Sequence, residues 1–257
     1  MREPLYDFEA DKVAHIYLKV DPFLNDYPQF HDSVEFVFIK QGVVDCYLEQ
    51  KHQVLVSGDI FFAESYETHH YIAQSEKVEA IVLVLAREYI QVFRKIYPGL
   101  TFSTFLTDKD KNKALFTIME EWLSIDNKTQ IHNYAKATDL FAALVDIYPM
   151  INRHEYEGNI LQKELLRYIH LHYLEDITVI KMAHDLGYSP EYCSRVLKKT
   201  LKNGVRTYIN SLRIRKAKEL FEDKSLQLTQ SEILYQCGFS SPSTYYRVKK
   251  QIEKAYR

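Results

Sequence analysis

Thr178-Val179-Ile180-Lys181-Met182-Ala183-His184-Asp185-Leu186-Gly187-Tyr188-Ser189-Pro190-Glu191-Tyr192-Cys193-Ser194-Arg195-Val196-Leu197-Lys198-Lys199 is the stretch that decides how the second half of this chain folds. Ile180, Ala183 and Leu186 recur at helical spacing and mark the apolar face of a first helix. Ala183 is small enough to let a second helix cross closely. Gly187 stands where the first helix must end in a left-handed backbone. Ser189 is a good N-cap, and Pro190 at the first helical position sacrifices no backbone hydrogen bond. The second helix then turns Cys193, Val196 and Leu197 inward, with Glu191, Ser194, Arg195, Lys198 and Lys199 on or near the opposite face. A short helix with a polar, basic outer face suits the major groove of DNA.

A related pattern recurs about 51 residues later, from Leu228 to Phe239 and on through Ser240-Ser241-Pro242-Ser243-Thr244-Tyr245-Tyr246-Arg247-Val248-Lys249-Lys250. Matching Gly187-Tyr188 to Gly238-Phe239 is expected to set Arg195 opposite Arg247. Between the two patterns, Val205 to Phe221 reads as one long helix with Tyr208, Ile209, Leu212, Ile214, Ala217 and Leu220 as its apolar stripe. Arg213, Arg215 and Lys216 lie beside that stripe. Two recognition helices on one rigid rod would enter successive major grooves, roughly 34 Å apart.

The charge distribution points the same way. The whole chain of 257 residues has a formal net charge of -2. From residue 160 onward there are 18 Lys and Arg against 10 Asp and Glu, a net of +8, which leaves -10 for the rest. Such asymmetry marks the C-terminal end as the one that meets a polyanion. With 46% hydrophobic and 26% charged residues the composition is that of a globular protein. Gly and Pro number seven each, so no low-complexity tract is expected. No apolar run approaches the roughly 18 residues of a membrane span, and the start of the chain lacks a signal-peptide pattern. Three Cys with no close pair argue against a disulfide framework or a zinc site and fit a reducing cytoplasm.

The N-terminal part has a different period. Val34 to Ile39, Val43 to Leu48, Gln53 to Val56, Ile60 to Ala63 and Val78 to Leu85 read as short strands separated by Lys40-Gln41-Gly42 and Ser57-Gly58-Asp59. An antiparallel sandwich or barrel follows. Two amphipathic helices come next. One carries Leu115, Ile118, Met119, Trp122 and Leu123, and the other Tyr134, Ala137, Leu140, Phe141, Leu144, Val145 and Tyr148. The expected fold class is therefore α+β. Residues 1–108 form a β barrel, 109–151 a helical segment, 152–159 a linker, and 160–257 an all-α unit with two helix-turn-helix motifs.

The C-terminal segment resembles the DNA-binding domain of the AraC/XylS family of bacterial regulators. Its separated motifs occur in order over about 95 residues: Met182 to Lys199, Tyr208-Ile209-Asn210-Ser211-Leu212-Arg213-Ile214-Arg215-Lys216-Ala217, and Tyr235-Gln236-Cys237-Gly238-Phe239. The resemblance implies a transcription regulator that reads bases through Glu191, Ser194 and Arg195 and through Ser243, Thr244 and Arg247. Arg at such positions commonly recognises guanine. Lys198, Lys199, Lys249 and Lys250 would hold phosphates. The second motif departs from the family pattern. Leu234 replaces the usual Ala, Gln230 an apolar residue, and Lys249 the usual Phe. The terminal Gly-x-x-Pro turn is absent from Gln251 to Arg257, and Lys202-Asn203-Gly204 follows the first recognition helix in place of a single Gly. A weaker second motif, short of core and tail features, is expected.

Gln29-Phe30-His31-Asp32-Ser33-Val34-Glu35 and Gly58-Asp59-Ile60-Phe61-Phe62-Ala63-Glu64, leading to His69-His70, are similar to the two cupin motifs. Enzymatic cupins hold a transition metal with His, His, Glu and His. Here Gln29 replaces the first His and Glu64 the usual proline, while His31, Glu35 and His69 remain. The expectation is a barrel that binds a small polar effector, a sugar-like molecule among the candidates, through Gln29, His31, Glu35, Tyr47 and His69, with no metal and no cofactor. Tyr66 and Tyr71 are further lining candidates. The implied partners are double-stranded DNA, the effector and a second copy of the chain held through helices 110–150, with no membrane. The alternative is a metal-dependent cupin enzyme fused to a basic helical domain.

Overall fold

The computed structural model describes residues 5–6, 16–24, 28–49, 51–152, 160–201, 204–222 and 227–255. The chain forms two compact units, Met1–Gly158 and Asn159–Arg257.

The first unit is built on two five-stranded sheets. One has the order β1 (Leu5–Tyr6), β3 (Gln29–Phe30), β8 (His69–Ala73), β5 (Val43–Leu48), β6 (Lys51–Val56). The other runs β11 (Phe105–Leu106), β7 (Ile60–Ala63), β4 (Val34–Gln41), β9 (Glu79–Leu85), β2 (Ile16–Asp21). All pairings are antiparallel except β1 with β3. Val37, Ile39, Phe61, Ala63, Val82 and Val84 of the second sheet meet Val44, Cys46, Leu48, Leu55 and Tyr71 of the first in one buried cluster. The opposite face of the second sheet carries Phe36, Phe38, Ile60, Phe62, Ile81 and Leu83 into another core, formed with helices. Burial on both faces explains why Val34 to Ile39 is a nearly continuous apolar run, whereas β5 alternates.

The helices of that second core are α1 (Arg87–Ile96), α2 (Lys109–Ser124) and α3 (Gln130–Ile147). Leu115, Met119 and Trp122 of α2 and Ala137, Leu140, Phe141 and Leu144 of α3 are buried there, as their spacing predicts. Asn112 ties α2 to the barrel. Its amide donates to the Gly58 and Leu106 carbonyls, both at 2.8 Å, and accepts from the Tyr148 hydroxyl at 2.7 Å. Among the described residues of this segment, the large apolar side chain left exposed is Ile131. The exposed Leu and Phe stripe that a dimer contact would use is turned inward instead, because the barrel claims it. Helix α1 and the short strands β10 (Leu100–Thr101) and β12 (Ile151–Asn152), which pair with each other, have no counterpart in the sequence reading.

The second unit is all helical: α4 (Ile160–His172), α5 (Val179–Leu186), α6 (Pro190–Thr200), α7 (Val205–Glu222), α8 (Gln230–Gln236) and α9 (Pro242–Ala255). Helices α5–α6 and α8–α9 are two helix-turn-helix motifs, and the α+β class holds for the whole chain. Thr178 caps α5 by accepting from the Lys181 amide, and Ser189 caps α6 by accepting from Tyr192, each worth about 1 kcal/mol. On the inner face of α5, Ala183 is buried and Leu186 half-buried as expected, but Ile180 does not belong to it. Met182 and Ala183 are buried while Ile180 is 69% exposed, because the helix begins at Val179 and repeats its apolar positions from there.

Both turns end their first helix in the same way. Tyr188 N–H donates to the Ala183 carbonyl at 2.9 Å, and Phe239 N–H to Leu234 at 3.1 Å. Gly187 and Gly238 adopt φ of 74° and 79°. The second turn is then one residue longer. Its cap is Ser241, which accepts from the Thr244 amide, whereas the first cap is Ser189. Counted from the glycines alone, Arg195 would fall opposite Tyr246. Counted from the caps, Arg195 and Arg247 occupy equivalent positions, each five residues after the helix-opening proline. Nor does the second motif lack a core. Ile233, Leu234, Cys237, Phe239, Tyr245 and Ala217 form a buried cluster in which Leu234 is fully enclosed. The position filled by buried Leu197 in the first motif is exposed Lys249 in the second.

Arg213 of α7 holds the two motifs together. It donates to the carbonyls of Tyr173 (2.6 Å) and Glu175 (2.7 Å), just before the first motif, and of Gly238 (2.8 Å) in the second turn. A Cβ on Gly238 would lie 2.7 Å from the Leu174 carbonyl and 2.9 Å from the Arg213 guanidinium, whereas one on Gly187 would meet nothing within 4 Å. Replacement of Gly187 by Ala is therefore expected to cost only the left-handed backbone, about 1–2 kcal/mol. Gly238→Ala is expected to cost clearly more and to loosen Arg213. Urea unfolding followed by helical circular dichroism checks the order, and equal losses would contradict it.

Candidate DNA interface and buried polar cluster

On α6, Cys193, Val196 and Leu197 are buried, while Glu191, Ser194, Arg195, Lys198 and Lys199 are exposed. The outer face is thus continuous and carries three cations. The Arg195 guanidinium lies 5.7 Å from the centre of the Tyr192 ring, one turn back on the same face. Such a contact restrains a long, flexible side chain on an exposed face. Tyr192 is 43% exposed. The sequence reading treated the face as purely polar and missed it, although the spacing of three between Tyr192 and Arg195 was the available signal.

On α9, Tyr245 and Val248 point inward and Ser243, Arg247, Lys249 and Lys250 outward. Thr244 is half-buried, with its hydroxyl 2.9 Å from Ser241 Oγ. A groove of about 1050 Å³ opens beside this helix. Thr178, Arg206, Asn210, Arg213, Thr244 and Arg247 are among its lining residues. Arg206 and Asn210, at the start of α7, were not singled out from sequence. They become visible only when α7 packs between the motifs, since nothing in their spacing distinguishes them from a solvated face.

The barrel interior holds a second constellation. Parity along β4 puts Glu35 on the same face as Val37 and Ile39, inside. There its Oε2 lies 3.1 Å from His31 Nε2 and 3.3 Å from His69 Nε2, and its Oε1 accepts from the Tyr71 hydroxyl at 2.9 Å. His31 Nδ1 donates to the Ser33 carbonyl at 3.0 Å, and His69 Nδ1 to the Glu67 carbonyl at 2.8 Å. All three residues are essentially inaccessible. Burial pushes the Glu35 carboxyl upward, but the His69 charge and the hydrogen bonds from both imidazoles prevail and hold it well below the usual carboxylate range.

Gln29 is the cross-strand partner of His69 and shares its face. Tyr47 does not join this group. It alternates outward from Cys46 and Leu48 and stacks between His52 and His70, with ring centres 4.4 and 4.3 Å away. His70 falls on the outer face because adjacent strand residues point in opposite directions. The expectation that Tyr47 lines the barrel is corrected accordingly. Tyr71, not Tyr47, is the tyrosine of the interior cluster.

Glu64, which stands where the cupin motif has proline, has its own task. Buried, it pairs with Arg94 of α1 at 2.9 Å and accepts from Thr101 Oγ1 of β10 at 2.9 Å. The departure from the motif therefore buys an anchor for α1 and β10 against the barrel.

With this geometry in place, comparisons with known proteins are consistent in both units. Residues 25–85 match the model of an AraC-like ligand binding domain, and residues 182–255 match that of a helix-turn-helix domain. The chain is 24% identical over 242 residues to YdeC of Bacillus subtilis (strain 168), an uncharacterized HTH-type transcriptional regulator, covering 84% of this chain and 79% of that protein. It is 22% identical over 232 residues to the Msm operon regulatory protein of Streptococcus mutans, covering 87% and 82%. It also matches a longer HTH-type transcriptional regulator of Staphylococcus aureus (strain COL) at 24% identity, with 88% of this chain and 31% of that protein covered. Among solved structures, ToxT from Vibrio cholerae O395 bound to (E)-4-(8-methylnaphthalen-1-yl)but-3-enoic acid shares the fold, with a TM-score of 0.51 at 14% identity over 91% of this chain and 94% of ToxT. These relatives are regulators of transcription, not enzymes. The chain thus carries an AraC-like ligand-binding module followed by a helix-turn-helix module, the make-up of an AraC-type transcription regulator.

Proposed function

We propose that this regulator reads two successive major-groove segments of promoter DNA, Arg195 and Arg247 each contacting a base, in response to a small polar effector bound in the barrel. The observation that carries the reading is the equivalence of the two arginines. Both stand on exposed faces, at the same distance from their helix caps, on helices α6 and α9 of a unit braced by Arg213. A guanidinium in that register pairs with the O6 and N7 acceptors of guanine. Lys198, Lys199, Lys249 and Lys250 flank the arginines and supply phosphate contacts. Ser194, Glu191, Ser243 and Thr244 complete the base-facing rows.

The effector is proposed to meet Gln29 and the His31, Glu35, His69 and Tyr71 cluster, which is the polar part of an otherwise apolar barrel interior. A sugar-like molecule follows from family resemblance, and the acid bound to ToxT adds small carboxylic acids as a second class. A homodimer through residues 110–150 would pair two DNA-binding units on a two-fold site. With the apolar stripes of α2 and α3 turned inward, that contact would use their outer polar faces and Ile131. No helix among the described residues is long and apolar enough to cross a membrane, and a cytoplasmic location is proposed with the DNA-binding role.

Binding of the full chain to the DNA upstream of its own gene and its neighbours, measured against salt, tests the reading. Arg195→Ala and Arg247→Ala are each expected to weaken binding by about 1–3 kcal/mol and to relax the preference for one base, whereas Lys198→Ala is expected to lower affinity evenly across sequences and reduce the salt slope by about 1. An effect at Arg195 alone would reduce the second motif to a positioning role. No sequence preference in the wild type would overturn the proposal. Thermal unfolding with panels of sugars and short carboxylic acids identifies the effector class. A binder is expected to raise the midpoint of the wild type, and to do so less in Gln29→Ala.

A further inference from the structure

We propose that the groove between α7 and α9 seats the sugar-phosphate strand that separates the two DNA segments read by α6 and α9, with Arg206 as its phosphate contact. The inference rests on the two-segment reading above and adds a base-independent contact between the segments. Arg206, Asn210 and Arg213 recur at helical spacing on α7, and Thr244, Arg247 and Gln251 do so on α9. All of them line one groove of about 1050 Å³, so a polar row from each helix bounds it. Buried Ile209 and Val248 of the same two helices also border it. Thr178, the cap of α5, stands at its side. The Thr178 hydroxyl oxygen accepts from the Lys181 amide at 3.1 Å and keeps its own hydrogen to donate.

The charge of the groove calls for an anion. Three guanidiniums line it against one carboxylate, that of Asp176. Arg213 is committed to its three carbonyls. Arg206 is exposed, and among the described residues neither it, nor Arg247, nor the Asn210 amide has a hydrogen bond or ion pair. Burial draws the Arg213 pKa down, Asp176 opposes this, and the Arg206 charge adds to it. An anion beside Arg206 relieves that repulsion. Position says which anion. Arg247 belongs both to the base-facing row of α9 and to the wall of the groove. A helix lying in a major groove about 12 Å wide has a sugar-phosphate strand along each side. Thr178 comes from the first motif, so the groove lies on the side of α9 that faces that motif. The strand on that side is the one between the two segments.

The test uses the full chain and a duplex carrying its preferred site. Arg206→Ala is expected to weaken binding about 3–10-fold at every sequence, to reduce the salt slope by about 1 and to leave the base preference unchanged. Arg206→Lys keeps the charge and is expected to restore the slope. Uncharged methylphosphonates, placed one at a time along the duplex, locate the contact. One placed between the two segments is expected to weaken the wild type as much as Arg206→Ala does, and to cost Arg206→Ala nothing further. Lys218→Ala removes an exposed cation of α7 outside the groove and is expected to bind as the wild type does. A wild type with no preferred site would overturn the two-segment reading, and the groove assignment with it. A wild type that keeps its preference, with an unchanged salt slope in Arg206→Ala or with Arg206 coupled to no phosphate between the segments, would overturn the groove assignment alone. So would equal losses in Arg206→Ala and Lys218→Ala.

Discussion

One guanidinium sets the geometry of the C-terminal unit. Arg213 reaches from the middle of α7 to three carbonyl oxygens, two just before the first helix-turn-helix and one in the turn of the second. Charge-assisted bonds to backbone oxygens are worth about 1.5–3 kcal/mol each when shielded, less where water competes. Their direction matters as much as their strength. Arg213 can satisfy all three only if the loop at Tyr173–Glu175 and the turn at Gly238 keep one spacing. A glycine at 238 is what lets the backbone come that close. The spacing of the recognition helices, and hence the DNA they could span, follows from this contact.

Much of the first motif was legible in the sequence because its signals are local. Gly187, Ser189 and Pro190 act within one turn, and the faces of α6 follow from a period of 3.6. The second motif was harder. Its turn has one more residue, so alignment through the glycines and alignment through the caps disagree, and only hydrogen bonds from Phe239 and Thr244 separate them. Leu234 looked like a defect against the family pattern. In place it fills the core with Phe239 and Tyr245, a compensation that depends on neighbours remote in sequence. Ile180 was misassigned because an apolar residue one position from the true face fits a short helix nearly as well.

In the barrel, the strand runs read correctly where both faces are buried, as in β4, β7 and β9. Short strands such as β3 and β8 carry too few residues for a pattern. Their pairing nonetheless places His69 beside Gln29 and, with β4, beside His31 and Glu35. The outward turn of Tyr47 was available from the alternation in β5, had parity been counted from Cys46. Glu64 shows how a residue absent from a motif can serve another end, here the seating of α1 and β10 on the barrel through Arg94 and Thr101. The helices at 109–147 pack on the opposite face of the sheet that carries Glu35, in a core of their own with Phe36, Phe38 and Phe62.

The central claim is that two equivalent helices, held at one spacing, read DNA together. Selection of preferred sites by the full chain from a random duplex library, followed by insertion of five base pairs between the two selected segments, measures this directly. The account predicts two guanine-containing segments with centres about 10 base pairs apart, and loss of most of the specific affinity when the insertion rotates one segment half a turn away. A single selected segment, or binding indifferent to the insertion, would contradict it.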